Sequence, residues 1–134
     1  MIRVFCAAMI VVSATGVRAS ETVGVYMPGN VLNAQCRAFL EVRRSGNKVE
    51  TAQVAWNASQ CYGYVMGILD HFNVANATAG HQQDQLGSFC IPEGADSKDV
   101  TEVVARFLDE HPEKRSIAGY YLVRQALTEK YPCN

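Results

Sequence analysis

Apolar positions recur along much of this chain at intervals of three and four residues, the period of an amphipathic helix. Leu32, Cys36, Phe39 and Leu40 form the first such stripe, with Arg37, Glu41 and Arg44 off it. Asn30 stands where its side chain can accept from the orphan N–H groups of a first turn, and Ser45-Gly46-Asn47 is a turn signal that ends the helix. A longer helix is predicted from about Thr51 to Phe72. Cys61, Val65, Ile68, Leu69 and Phe72 make its apolar stripe, and Trp56 is expected to anchor its beginning. Gly63 and Gly67 fall four apart within it. Glycine costs helix propensity, so the pair predicts a site where another helix approaches closely.

The period fails between residues 73 and 89. Asn73, Asn76, Gly80, His81, Gln82, Gln83, Asp84, Gln85 and Gly87 make a polar, glycine-punctuated stretch that reads as a long loop. Loops of this length inside small domains are either connectors or functional segments. Cys90-Ile91-Pro92 opens the last section, where Ser97 is the expected N-cap and Asp99 and Glu102 suit a helix start. Val100, Val103, Val104, Phe107 and Leu108 repeat at i, i+3, i+4, i+7 and i+8, and His111-Pro112 stops that helix. A final helix is predicted from about Ser116 to Lys130, with Ala118, Leu122, Ala126 and Leu127 along it. No strand-like alternation competes with these assignments. The expected fold class is all-α: a small disulfide-stapled bundle of four main helices, arranged as two helical hairpins.

The N-terminus changes the picture of where this bundle works. Arg3, the apolar run Val4 to Val12 and the small-residue pattern Val17-Arg18-Ala19 read as a signal peptide over residues 1–19, cut after Ala19, followed by a single domain over 20–134. The apolar run is too short to span a bilayer, which needs roughly 20 residues. Removing Arg3 and Arg18 leaves 10 basic and 13 acidic groups, a net charge of −3. That near-balance gives no basic face for nucleic acid. Cys6 departs with the signal, and Cys36, Cys61, Cys90 and Cys133 remain, an even number suited to disulfides in an exported domain. Four cysteines allow three pairings, and spacing alone does not choose. The hairpin layout suggests Cys36–Cys61 across the first hairpin and Cys90–Cys133 across the ends of the second. No two cysteines form a CxxC clip and the three histidines are scattered, so no metal and no cofactor is expected.

Candidate chemistry is sparse. The chain has no GxSxG elbow, Walker loop, HExxH or GxGxxG, and oxidised cysteines offer no thiolate, so no enzyme is expected. His71, beside Asp70 toward the predicted helix end, fits a dipole contact better than an acid–base couple. His81 falls in the polar loop and His111 at a helix end, where solvation is the simpler reading. Asn57-Ala58-Ser59 and Asn76-Ala77-Thr78 match a glycosylation sequon incidentally. Tyr62, Tyr64, Tyr120 and Tyr121 are either a half-buried rim of the core or an interface, since tyrosine pairs an apolar body with a polar tip. The rim is the expectation.

An ordered set of residues then points to a family. Gly29-Asn30-x-Leu32-x-x-x-Cys36 opens it, and Cys61-Tyr62-Gly63-Tyr64-Val65-x-Gly67-x-x-Asp70 forms its central helix. Phe89-Cys90-Ile91-Pro92, Val103-Val104 with Phe107-Leu108, and His111-Pro112-Glu113 follow; Ala126-Leu127 and Tyr131-Pro132-Cys133 close it. With four cysteines in register from residue 29 to 133, the chain resembles the Rap/Tai family of periplasmic immunity proteins. The resemblance implies a helical, periplasmic protein, dimeric in characterised members. It also implies protection against type VI secretion effectors that cleave peptidoglycan peptides, by occlusion of the amidase cleft, and the same cysteine pairing. The expected partner is therefore a secreted cell-wall amidase, with no nucleic acid and no membrane insertion after signal cleavage. Asn76, His81, Gln82, Gln83, Asp84 and Gln85 are the expected contact residues, because amide side chains supply both donors and acceptors to a groove. The alternative is a general periplasmic stress or folding factor that exposes apolar surface in acid and has no single cognate toxin.

Overall fold

A computed structural model describes residues 26–78 and 89–133, with side chains described as far as Ala75 in the first segment. Its element order is α1 (Gly29–Arg44), α2 (Ala52–Thr78), α3 (Ser97–Glu110), a short 3₁₀ turn (Pro112–Lys114) and α4 (Gly119–Lys130). The protein is all-α, and among the described residues no strand forms beyond two isolated bridges, Pro28 with Ala118 and Phe89 with Pro132. α1 packs most extensively on α2 and next on α3, and α3 carries α4. The core collects Leu32, Phe39 and Leu40 of α1 with Val65 and Phe72 of α2. Val104 and Leu108 of α3 and Leu122, Val123 and Leu127 of α4 complete it.

Two disulfides join these layers. Cys36–Cys61 ties α1 to α2 inside the core, with neither cysteine exposed. Cys90–Cys133 ties the entry of the second hairpin to its exit, and both of its cysteines are exposed. Beside the latter, the Cys90 N–H donates to Tyr131 O at 2.7 Å. The segment before α1 is held in the same manner: Gly119 N–H donates to Met27 O at 2.7 Å and Gly29 N–H to Ile117 O at 3.0 Å. These backbone contacts leave no room for side chains. A Cβ on Gly29 would stand 2.5 Å from Ile117 O and from Leu122 Cδ1, and one on Gly119 would stand 2.9 Å from Leu32 Cδ2.

Several local expectations need correction. α1 starts at Gly29, so Asn30 lies within its first turn, and Pro28 occupies the cap position without a side-chain bond. α2 does not stop at Phe72 but runs to Thr78, so residues 73–78 are helical rather than loop. Asn73 and Asn76 only weakly oppose a helix that Ala75 and Ala77 favour, and no glycine intervenes before Gly80. Asp96, not Ser97, caps α3, its side chain accepting from Lys98 N–H at 2.7 Å. The Ser97 hydroxyl instead pairs with the Tyr62 hydroxyl at 2.9 Å. α4 begins at Gly119 rather than Ser116, since the 3₁₀ turn after Pro112 takes up the intervening chain. Trp56 does not anchor the core and is 62% exposed, because it lies about 150° around the helix from the buried stripe.

Candidate protein-interaction surface

α2 is the unusual element. Its 27 residues contain one carboxylate, Asp70, and no lysine or arginine. A surface helix ordinarily sets a charged face opposite its buried stripe. α1 does so, with Arg37, Glu41 and Arg44 exposed. α2 buries Ala58, Cys61, Val65, Ile68 and Phe72, yet its outer face presents Trp56, Gly63, Gly67, Asp70 and Val74. With half-buried Gln60, those positions repeat at intervals of four and three, a straight seam along the helix.

The two glycines correct the sequence expectation. A Cβ at Gly63 or at Gly67 would meet nothing within 4 Å among the described residues, so none of the described helices approaches there. They face outward and leave the middle of the seam low enough for another backbone to come close.

One flank of the seam is aromatic. His71 is exposed, with its ring centroid 6.5 Å from Tyr120 and 5.6 Å from Phe72. Tyr120 meets Tyr121 edge-on at 5.4 Å, and Tyr121 is 60% exposed. Tyr64 lies beside the start of α4, since its Cε1 would be 3.3 Å from a Cβ at Gly119. Burial pushes the Tyr64 phenol up, opposed by a backbone hydrogen bond from Tyr120. Tyr64, Tyr120 and Tyr121 therefore converge with His71 across α2 and α4. Tyr62 is apart from them: it stacks on Phe39 at 6.5 Å and bonds Ser97. The expected rim thus holds for half-buried Tyr62, Tyr64 and Tyr120, while Tyr121 projects from it. His71 is also not at a helix end, because α2 continues to Thr78.

The charged groups gather between α1 and α3 instead. Arg43 reaches Asp99 at 2.6 Å and Glu102 at 3.1 Å, and Arg106 reaches Glu102 at 2.6 Å. Arg115 closes the end of α3 through Leu108 O at 3.1 Å and Asp109 O at 3.0 Å. His111 meets Glu113 at 3.1 Å and leans on the Phe107 ring. Among the described residues no group of three or more His, Cys, Asp or Glu is placed to hold a metal, and no helix is long and apolar enough to cross a membrane. Of the expected contact residues, His81, Gln82, Gln83, Asp84 and Gln85 lie outside the described residues. Asn76 falls on the last turn of α2, with its side chain outside them too.

A stapled helical domain with a seam depleted of charge, flanked by exposed aromatic rings, has the build of a protein-binding domain, since charge depletion and aromatic enrichment mark interface cores. The chain belongs to the Rap1a immunity protein family, whose model it matches over residues 28–133. No curated protein and no solved structure gives a significant match.

Proposed function

We propose that this chain is an exported immunity protein that binds one toxin effector, a peptidoglycan amidase, and occludes its cleft. Family membership across the whole helical core supports the immunity reading and carries it. Two disulfides fit an oxidising compartment such as the periplasm, and residues 1–19 supply the export signal in this reading. The contact surface is the α2 seam with the His71, Tyr120 and Tyr121 flank, joined by the polar segment 81–85. A standard interface covers about 800 Å² per partner. A helix of 27 residues, about 40 Å long, with a second helix beside it offers a face of that order. The homodimer implied by the family resemblance belongs to the same reading, and light scattering of the oxidised protein measures it.

The test combines the mature, oxidised protein with type VI amidases secreted by its source and measures peptidoglycan peptide release and co-elution. One amidase is expected to be held tightly and silenced. Gly67→Arg and Tyr121→Glu, both at exposed positions, are expected to weaken that complex at least tenfold without lowering the melting temperature. Wild-type binding by both variants would remove the seam from the interface. Unchanged binding after replacing 81–85 with Gly and Ser would remove that segment. Failure to silence any amidase would end the amidase reading itself.

A further inference from the structure

The first hairpin holds a concavity at its turn end, away from the His71, Tyr120 and Tyr121 flank. Phe39 and Val42 of α1, Val49 of the turn, and Ala58 and Tyr62 of α2 wall a slot of about 290 Å³. That volume sits at the lower edge of the usual range for small-molecule sites, about 300–1,000 Å³. Tyr62 is held from two sides: its ring stacks on Phe39 within 13° of parallel, and its hydroxyl pairs with that of Ser97.

The polar lining has one sign. Among the described residues the charged side chains of the slot are Arg43 and Lys98, and no carboxylate lines it. Arg43 is already neutralised by Asp99 and Glu102. Lys98 is exposed and its ammonium has no ion-pair partner among the described residues. The two acids nearest to it in sequence are engaged elsewhere, Asp96 in capping α3 through the Lys98 N–H and Asp99 with Arg43. The result is an apolar slot with one cation, Lys98, that no described residue pairs.

We infer that this slot binds a small amphiphilic monocarboxylate, its alkyl or aryl body against Phe39, Val42, Ala58 and Tyr62 and its carboxylate on Lys98 Nζ. The inference is independent of the immunity reading, because the site faces away from the tyrosine flank and its ligand is not a toxin. Apolar burial supplies the affinity of such a ligand and the cation fixes its direction.

Calorimetry on the oxidised, signal-free chain tests it with three probes of one length: octanoate, octanamide and octylammonium. Octanoate is expected to saturate at one per chain, and the neutral and cationic probes to bind at least tenfold more weakly. Lys98→Glu is expected to lower octanoate affinity at least tenfold, with Lys98→Arg restoring most of it. Ser59→Trp, at an exposed lining position, is expected to block the slot while leaving the helical circular dichroism intact. Absence of saturation, equal binding of octanoate and octylammonium, or indifference to Lys98→Glu would each overturn the assignment. None of these readouts involves a toxin, so failure of the immunity reading leaves them unaffected.

Discussion

Limiting reductant should open Cys90–Cys133 and leave Cys36–Cys61 closed. Thiol–disulfide exchange requires an attacking thiolate to reach a sulfur, so access controls the rate. Cys36 and Cys61 are 0% exposed in the core, whereas Cys90 and Cys133 are both exposed. The outer bridge closes a separation of 43 residues and the inner one a separation of 25. In the chain-entropy model those loops are worth about 4 and about 3.5 kcal/mol. For a domain of roughly 100 residues, unfolding entropy near the midpoint is about 0.2 kcal/mol/K, so losing the outer bridge lowers Tm by roughly 20 °C. The consequence is also local. Phe89, next to Cys90, packs edge-on against Phe72 at 5.0 Å, and Phe72 stacks with Tyr120 at 5.9 Å. Opening the bridge should therefore weaken the near-ultraviolet signal of this aromatic cluster well below the melting point. Pulse alkylation with mass mapping reads the order of opening, and thermal scans of the singly reduced protein read the cost. Labelling of Cys36 and Cys61 together with the outer pair, or a melting shift below about 5 °C, would refute the reasoning.

Three further outcomes follow from contacts already described. Gly29→Ala and Gly119→Ala each force a methyl into backbone or core atoms. Each should cost about 3 kcal/mol in urea unfolding, the upper range for overpacking. Gly63→Ala and Gly67→Ala meet open space and should stabilise by up to about 1 kcal/mol each through helix propensity, while weakening any complex that uses the seam. Hydrogen bonds from Arg106 and then Arg43 hold the Glu102 carboxyl below its ordinary range. Its folded value is depressed, so its contribution is present above the ordinary carboxyl value and lost as pH falls through the folded one. Glu102→Gln should cost up to about 1 kcal/mol at pH 7, and the gap from wild type should close in acid below the folded value. Urea midpoints at several pH values measure it.

What could be read from the chain, and what could not, separates along physical lines. Periodicity located the core: Leu32, Cys36, Phe39 and Leu40 are all buried, as are Val100, Val104, Phe107 and Leu108. His111-Pro112 marked a true stop, because proline cannot donate to a continuing helix and α3 ends at Glu110. The cap of α3 was missed by one residue, since Asp96 and Ser97 are both good acceptors and only backbone geometry decides between them. Gly63 and Gly67 are a different kind of miss. At 100° per residue they already lie on the side opposite Cys61, Val65 and Phe72, so the period placed them outward. The propensity argument for a close-packed neighbour overrode that signal. Trp56 follows the same geometry. The charge-poor composition of α2 was likewise visible in the chain, whereas the meeting of Tyr64 and His71 with Tyr120 and Tyr121 was not. It depends on packing between residues some 50 apart.

The buried stripe of α2 is sufficient to account for its place in the fold, which makes the outer face the more informative half. A helix that only needed solvation could carry lysine and glutamate at Gly63 and Gly67, and gain roughly 0.5–1 kcal/mol of propensity at each over glycine. α1 shows that this protein does carry such residues where a face meets water. The two glycines weaken α2 at its middle, and Cys61 anchors that same stretch to α1 from the opposite side. The bridge, worth about 3.5 kcal/mol in the chain-entropy model, offsets the cost of the glycines, at most roughly 2 kcal/mol. A helix weakened outward and stapled inward at one level is what a surface needs if a partner's backbone is to approach it closely without the domain yielding.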